Sequence, residues 1–136
     1  MKITSFSAEE TRRAGKELAL QSSPGDVYGL CGALGAGKTE FVRGFVAARA
    51  NDAAVRSPTF TLINSYETPS FDIHHFDFYR LGSADELHEI GFYEYLDSGG
   101  ICLIEWADMF PEVLPETARM IRFCEDSAHV RIIEME

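Results

Sequence analysis

A helical repeat of small and apolar side chains dominates the beginning of the chain. Between residues 8 and 21 these side chains recur at helical spacing and share one face, namely Thr11, Ala14 and Leu18. Ser7 and Glu10 form an S-x-x-E capping box in front of this repeat, and a Ser-Ser-Pro-Gly segment at 22–25 follows it. The pattern predicts a helix with Ser7 as its N-cap that ends near residue 21.

Short apolar runs bounded by turn residues predict the strands. Six such runs occur, at 26–31, 60–66, 71–78, 101–104, 119–124 and 129–135. A Glu-Thr-Pro-Ser turn separates the second run from the third, which predicts an antiparallel hairpin, and the fourth is continuous, as in a strand buried on both faces. A second helical repeat at 40–49 completes a predicted α/β sandwich with a mixed sheet.

Short helical segments are expected between the third and fourth runs. Ser83 and Glu86 form another S-x-x-E pattern, which predicts the start of a short helix that Gly91 ends. Residues 92–96 add a further helical turn.

Length, composition and charge narrow the function classes. The chain has 136 residues, of which 46% are hydrophobic and 25% charged, and we expect a single domain over residues 1–136. Twelve Lys and Arg against 22 Asp and Glu give a formal charge of -10, which disfavours direct binding to nucleic acid.

The cysteines and the hydropathy of the chain point to the cytoplasm. The three cysteines are Cys31, Cys102 and Cys124. They lie in apolar runs without metal-ligand spacing, so we expect them to be small core residues in a reducing compartment. No apolar run approaches the roughly 20 residues of a membrane span, and the first residues lack the apolar segment of a secretion signal.

Residues 32–39 carry a complete G-x-x-x-x-G-K-[ST] phosphate-binding motif between a predicted strand and a predicted helix. This context indicates a three-layer P-loop NTPase sandwich that combines a parallel core with an antiparallel hairpin. Backbone amides would converge on the phosphates, Lys38 would reach the β- and γ-phosphates, and the Thr39 hydroxyl would bind Mg²⁺. The expected nucleotide-binding residues are Gly32, Gly35, Ala36, Gly37, Lys38, Thr39, Glu40 and Thr59.

Two carboxylates are candidates for the metal and the catalytic water. Glu105 closes the buried apolar run at 101–104, where it could bind Mg²⁺ directly, bind it through water, or orient an attacking water. Asp77 shares one strand face with His75 and Tyr79, and three polar groups on one face suggest a site.

Other polar residues have several possible roles. Thr59, in a Ser-Pro-Thr turn, is either a switch residue that senses the γ-phosphate and the metal or part of an ordinary turn. Three arginines could neutralise the transferred phosphoryl group or form surface ion pairs: Arg43, Arg56 and Arg80. The adenine could be reached from Ser7, Thr11 or Arg131.

Taken together, these motifs resemble the TsaE family, also called YjeE, of bacterial tRNA threonylcarbamoyladenosine biosynthesis. The phosphate-binding motif is common to many proteins, but three further motifs at these intervals are specific: Ser57-Pro58-Thr59-Phe60, His75-x-Asp77-x-Tyr79-Arg80 and Ile104-Glu105-Trp106. The resemblance covers most of the chain.

The resemblance implies a small P-loop ATPase with ATP and Mg²⁺ as cofactors. It implies Lys38 on the phosphates, Thr39 and Glu105 at the Mg²⁺, and Asp77 near the catalytic water or the metal shell, so that Lys38, Asp77 and Glu105 are the expected catalytic residues. Members of the family work with TsaB and TsaD, and TsaD transfers the threonylcarbamoyl group to tRNA. ATP hydrolysis would then drive turnover of that assembly, and tRNA would be met only through the complex.

Three other functions share part of this pattern. A small-molecule or nucleotide kinase would use the same loop and acid, but it would need an arginine-bearing lid, and the chain has no insertion of that size. A GTPase would need an N-K-x-D segment, which the sequence lacks. A regulatory switch module that binds ATP with negligible hydrolysis differs from the leading prediction only in rate.

Overall fold

Seven strands and four α-helices form the part of the chain that the computed structural model describes, residues 1–33, 35–50, 55–58 and 61–135. The strands are β1 (Lys2–Ser5), β2 (Val27–Cys31), β3 (Ile63–Glu67), β4 (Asp72–Asp77), β5 (Ile101–Glu105), β6 (Arg119–Ser127) and β7 (Val130–Met135). The helices are α1 (Ala8–Gln21), α2 (Lys38–Arg49), α3 (Asp85–Glu89) and α4 (Phe92–Leu96). Short 3₁₀ helices follow β5 at Ala107–Met109 and Pro111–Val113.

All seven described strands belong to one sheet, in the order β1-β7-β6-β2-β5-β4-β3. The four strands β6, β2, β5 and β4 are parallel, whereas β7 and β1 at one edge and β3 at the other are antiparallel to their neighbours. This arrangement confirms the predicted mixed sheet and the β3–β4 hairpin. Every residue of β2 and β5 is buried, which explains their continuous apolar sequences.

Helices cover both faces of the sheet and produce three layers. On one face, α1 and α2 pack over an apolar cluster that includes Leu18, Phe41 and Phe45. On the other face, α3 and α4 contribute Leu87 and Phe92 to a second cluster. The predicted α/β sandwich is therefore confirmed.

Two glycines allow α1 and α2 to approach closely. A Cβ atom on Gly15 would lie 2.0 Å from the carbonyl oxygen of Phe41, and one on Gly44 would lie 1.8 Å from that of Arg12. These distances are far below van der Waals contact, so any larger residue would push the helices apart. The small residues thereby fix α2 against α1.

The two capping boxes have different outcomes. Ser7 is the N-cap of α1 as predicted, since its Oγ accepts a hydrogen bond from the Glu10 amide at 3.1 Å. The predicted short helix forms as α3 and ends before Gly91, but Ser83 does not cap it, because α3 has Ala84 as its N-cap and no side-chain cap. Glu86 instead turns its carboxylate back to the Gly82 amide, at 2.9 Å.

Two further features differ from the expectations. Strand β1 was not predicted, because its four residues carry little apolar signal and pair only at the sheet edge with β7. Cys124 is exposed rather than in the core, because it alternates with buried Phe123 along β6. The other two cysteines, Cys31 and Cys102, are buried as expected.

Candidate functional site

A glycine-rich loop joins the carboxyl end of β2 to the first turn of α2. Gly32 has a φ of +145°, and a Cβ atom there would lie 2.4 Å from the carbonyl oxygen of Phe123. Gly37, the N-cap of α2, has a φ of +104°, a left-handed conformation that strains other L-residues. Because Gly37 has no side chain to cap the helix, the first amides of α2 remain available to an anion, and the helix dipole adds about half a positive charge there.

Lys38 is buried at the start of α2. Its Nζ donates a hydrogen bond to the carbonyl oxygen of Gly32 and lies 3.7 Å from the centre of the Trp106 ring. Burial lowers the pKa of the Lys38 amine, while the charges of Glu105 and Asp77 act in the opposite direction. The amine therefore lies where carboxylates and a bound anion would both stabilise its positive charge.

The two predicted carboxylates meet where β4 and β5 end. Asp77 and Glu105 are register partners in these parallel strands, so they lie side by side, and both are buried. Asp77 accepts a hydrogen bond from the Tyr79 amide at 2.8 Å through Oδ1. Glu105 is 2.6 Å from Nε2 of buried His75, measured to its Oε2.

A cavity of about 220 Å³ brings these groups together beside the loop. Its lining combines the predicted loop, helix and strand-end residues with Ser57 and Trp106: Gly35, Gly37, Lys38, Thr39, Glu40, Ser57, Asp77, Glu105 and Trp106. The site thus contains one cation, two hydroxyls and three carboxylates around one space. Trp106 was not among the expected site residues, and its position after Glu105 was the local signal that it borders the site.

A second cavity, of about 340 Å³, adjoins the first across Gly35, Gly37 and Glu40. It is lined by the beginning of α1 and by the β6–β7 connection, including the three residues proposed to reach an adenine: Ser7, Thr11 and Arg131. Arg131 also donates a hydrogen bond from Nε to the carbonyl oxygen of Gly35, at 3.1 Å. Phe6 and His129 line the cavity too, and sequence reasoning missed both, because nothing near them in the sequence links them to the loop.

The remaining predicted residues lie at the edge of this arrangement or outside it. Glu40 borders both cavities, with its carboxylate 2.6 Å from Nη1 of Arg12 and 3.8 Å from Nε of Arg43. Ala36 is buried in the loop, where its amide bonds the carbonyl oxygen of Ala33 at 3.2 Å. Arg80 lines a different cavity, beside Leu62.

Three residues of the predicted motifs lie outside the described residues, namely Leu34, Thr59 and Phe60. The backbone amide of Arg56 bonds the Tyr66 hydroxyl at 3.2 Å, so this segment contacts β3.

The donor set suits a metal that is shared with a ligand. Within residues 1–33, 35–50, 55–58 and 61–135, no cluster of three or more His, Cys, Asp or Glu side chains could hold a metal ion. Thr39 and Glu105 nevertheless offer oxygen atoms to one cavity. Mg²⁺ is commonly bound through one or two carboxylates together with phosphate oxygens and waters, so these residues fit Mg²⁺ bound with a phosphorylated ligand.

Comparison with known proteins decides the family. The sequence profile described as "Threonylcarbamoyl adenosine biosynthesis protein TsaE" matches residues 5–133. The chain belongs to the TsaE family. The matched segment includes every residue that lines the two cavities, so the site lies within the part that defines the family.

Individual relatives agree with this assignment. The tRNA threonylcarbamoyladenosine biosynthesis protein TsaE of Bacillus subtilis is 40% identical over 116 residues, covering 85% of this chain and 72% of that protein. The Rickettsia felis protein of the same name is 37% identical over 139 residues, covering 93% and 81% of the two chains. A crystal structure of Bacillus subtilis YdiB superposes with a TM-score of 0.80 at 33% identity, over 98% of this chain and 82% of that one.

No helix in the described part of the chain is long and apolar enough to cross a membrane.

Proposed function

We propose that this protein binds ATP with Mg²⁺ and hydrolyses it in support of tRNA threonylcarbamoyladenosine biosynthesis. The observation that carries the proposal is the single cavity lined by Lys38, Thr39, Asp77 and Glu105, next to the N-terminus of α2. This combination matches the needs of phosphoryl chemistry, in which a cation, oriented amides and metal-binding oxygens stabilise negative charge. Membership of the TsaE family gives the biological setting.

The two adjoining cavities suggest how a nucleotide would lie. The triphosphate would follow the loop and the first turn of α2, and the nucleoside would occupy the larger cavity beyond Gly35. There the exposed ring of Phe6 and the guanidinium of Arg131 offer flat surfaces for stacking against a base. This placement uses both cavities and keeps the phosphates at the helix N-terminus.

The residues around the phosphates would divide the work. Thr39 and Glu105 would hold Mg²⁺, which supplies charge neutralisation at the phosphates. Lys38 would bind the β- and γ-phosphates, and its Nζ would give up the hydrogen bond to the carbonyl oxygen of Gly32. Asp77, next to Glu105 in register, is the second carboxylate in reach of an attacking water or of the metal's water shell.

The protein would act on a complex of TsaB and TsaD rather than transfer the threonylcarbamoyl group itself. These partners come from the family resemblance, and the acidic chain agrees with them, because a formal charge of -10 disfavours holding tRNA directly. ATP hydrolysis would therefore drive turnover of the assembly in the cytoplasm, and tRNA would be met through TsaB and TsaD.

Hydrolysis measured with and without the partners tests this proposal. The protein alone, and mixed with TsaB and TsaD, is given ATP and Mg²⁺, with GTP as the nucleotide control and Lys38→Ala as the background control. We expect weak hydrolysis alone and stimulation by the partners, with ATP preferred. Nucleotide binding without hydrolysis in any mixture would support a regulatory switch module instead. The absence of both stimulation by the partners and preference for ATP would contradict the proposed function.

A further inference from the structure

His75 is a buried titratable residue for which the proposed reaction has no direct use. It lies on β4 two residues before Asp77 and faces the same side of the sheet, because side chains alternate along a strand. Its register partner on β5 is Leu103, and its side chain is fully buried. The ring therefore lies below the carboxylates that border the cavity, out of contact with solvent.

Among the described residues, the ring makes one close polar contact, and that contact is with the candidate metal ligand. Nε2 of His75 lies 2.6 Å from Oε2 of Glu105, whose side chain is 5% exposed. Within the described part of the chain, Nδ1 of His75 is buried without a hydrogen-bond partner. An ionised carboxylate can only accept, so the bond requires the hydrogen on Nε2, and Nδ1 then remains a bare acceptor rather than an orphaned donor.

A purely structural role explains this arrangement poorly. Two buried apolar residues flank this position, Ile73 on the same face of β4 and Leu103 beside it on β5, while its register partner on β3 is Asn64. An apolar side chain at position 75 would fill such a place without leaving a buried nitrogen unpaired, which costs free energy. What the imidazole adds is the hydrogen bond to one oxygen of Glu105.

We propose that His75 is a positioning residue that holds Oε2 of Glu105 and so directs Oε1 toward the divalent cation or its water. The inference rests on the proposed function, in which Glu105 serves the Mg²⁺ of a bound nucleotide. A carboxylate with one oxygen fixed has fewer orientations to lose when the metal binds, which increases affinity. His75 itself touches neither nucleotide nor metal.

Isothermal titration calorimetry can measure the affinity of the full chain for adenylyl imidodiphosphate in Mg²⁺ and in EDTA. The difference between the two affinities is the part that depends on the metal. We expect His75→Leu to lower the affinity gained from Mg²⁺ by about 10- to 100-fold, the usual effect of removing such a partner of a metal ligand. Its affinity in EDTA should stay close to that of the wild type. His75→Gln, whose amide N–H comes close to the position of Nε2, should recover most of the loss.

His88→Leu is the matched control, because His88 is exposed on α3 and lines neither cavity. It should keep the Mg²⁺ dependence of the wild type. If His75→Leu also keeps it, the positioning role is overturned while the proposed function stands. If the wild type itself gains no affinity from Mg²⁺, the proposed metal site fails first, so the two failures are distinguishable.

The tautomer of His75 gives a second measurement that does not depend on a variant that folds. Nitrogen-15 NMR of histidine-labelled wild-type protein should assign the hydrogen of His75 to Nε2. A hydrogen on Nδ1 with Nε2 bare would overturn the inference, because Nε2 could then not donate to Glu105.

Discussion

At the residue scale, the candidate site balances one buried cation against two buried carboxylates. Counted over the whole residue, Lys38 is 5% exposed, Asp77 4% and Glu105 3%, so their charges act through little intervening water. Burial lowers the pKa of Lys38, and the two carboxylates oppose that shift. A phosphate chain would add negative charge on the other side of the amine, so ligand binding and protonation of Lys38 would favour each other.

Lys38→Ala should weaken ATP binding by about 10- to 100-fold, because a charged hydrogen bond contributes roughly 1.5–3 kcal/mol. Calorimetric titration with ATP and Mg²⁺ measures the change. Lys16→Ala is the matched control, since Lys16 is exposed on α1 and lines neither cavity. An unchanged affinity for Lys38→Ala would contradict the loop assignment.

Glu105→Gln should reduce Mg²⁺-dependent ATP hydrolysis by about 100-fold or more, a loss of the size seen when one preorganised charge-stabilising group is removed. Nucleotide binding in EDTA should change little, since Lys38 and the loop amides remain, whereas the affinity gained from Mg²⁺ should fall at least as far as in His75→Leu. Steady-state hydrolysis with TsaB and TsaD present checks this, with Glu112→Gln, an exposed carboxylate, as the control. Full turnover in the Glu105 variant would make Glu105 a structural residue.

At the element scale, the position of the loop depends on how α2 is held. Its first turn carries Lys38 and Thr39, and its apolar side packs on the sheet through Phe41 and Phe45. The close contact with α1 at Gly15 and Gly44 fixes the helix against its neighbour. Since Ser7 and Thr11 on α1 line the larger cavity, the same contact sets the separation of the two walls.

Gly44→Ala should lower the free energy of unfolding by about 1–3 kcal/mol or more, because its Cβ would overlap the backbone of Arg12. Thermal and denaturant unfolding measure the loss. Gly82→Ala is the matched control: the nearest atom to its Cβ would be a carboxylate oxygen of Glu86 at 3.9 Å, an ordinary contact. Equal stability of the two variants would contradict the close contact of α1 and α2 at Gly44.

At the scale of the whole molecule, the net charge bears on whether the protein can bind nucleic acid directly. With 12 basic and 22 acidic residues, long-range repulsion from a phosphate backbone opposes a stable complex with free tRNA. Neutral or basic protein surfaces experience no such repulsion. The net charge is therefore compatible with a protein that reaches tRNA through other proteins.

The protein alone should not bind labelled tRNA at micromolar concentrations, and it should join a tRNA complex only when TsaB and TsaD are present. Gel-shift and anisotropy titrations at two salt concentrations measure this, with TsaB and TsaD without the protein as the control. Tight binding by the protein alone that weakens with salt would reveal a basic surface that outweighs the net charge.

The sequence by itself determined the elements and the chemistry that depend on local patterns. Apolar periodicity predicted α1, the buried central strands and the β3–β4 hairpin, because the spacing of apolar residues determines which face of a helix or strand is buried. The loop motif predicted Lys38 and Thr39 as phosphate and Mg²⁺ ligands, and the end of β5 predicted Glu105 as a Mg²⁺ ligand. Each residue lies at a fixed offset from a predicted element. Where the local signal was weak or misleading, the prediction was incomplete: β1 was not predicted, and Ser83 does not cap α3.

Only the tertiary structure decided which distant residues share a space. Strand order is set by pairing across the sheet, and it makes Asp77 the neighbour of Glu105 and brings Nε2 of buried His75 to 2.6 Å from Oε2 of Glu105. The β6–β7 connection comes to lie opposite the start of α1, so His129 and Phe6 border one cavity although 122 positions separate them in the chain. Such contacts depend on packing between elements, and no local pattern in the sequence encodes them.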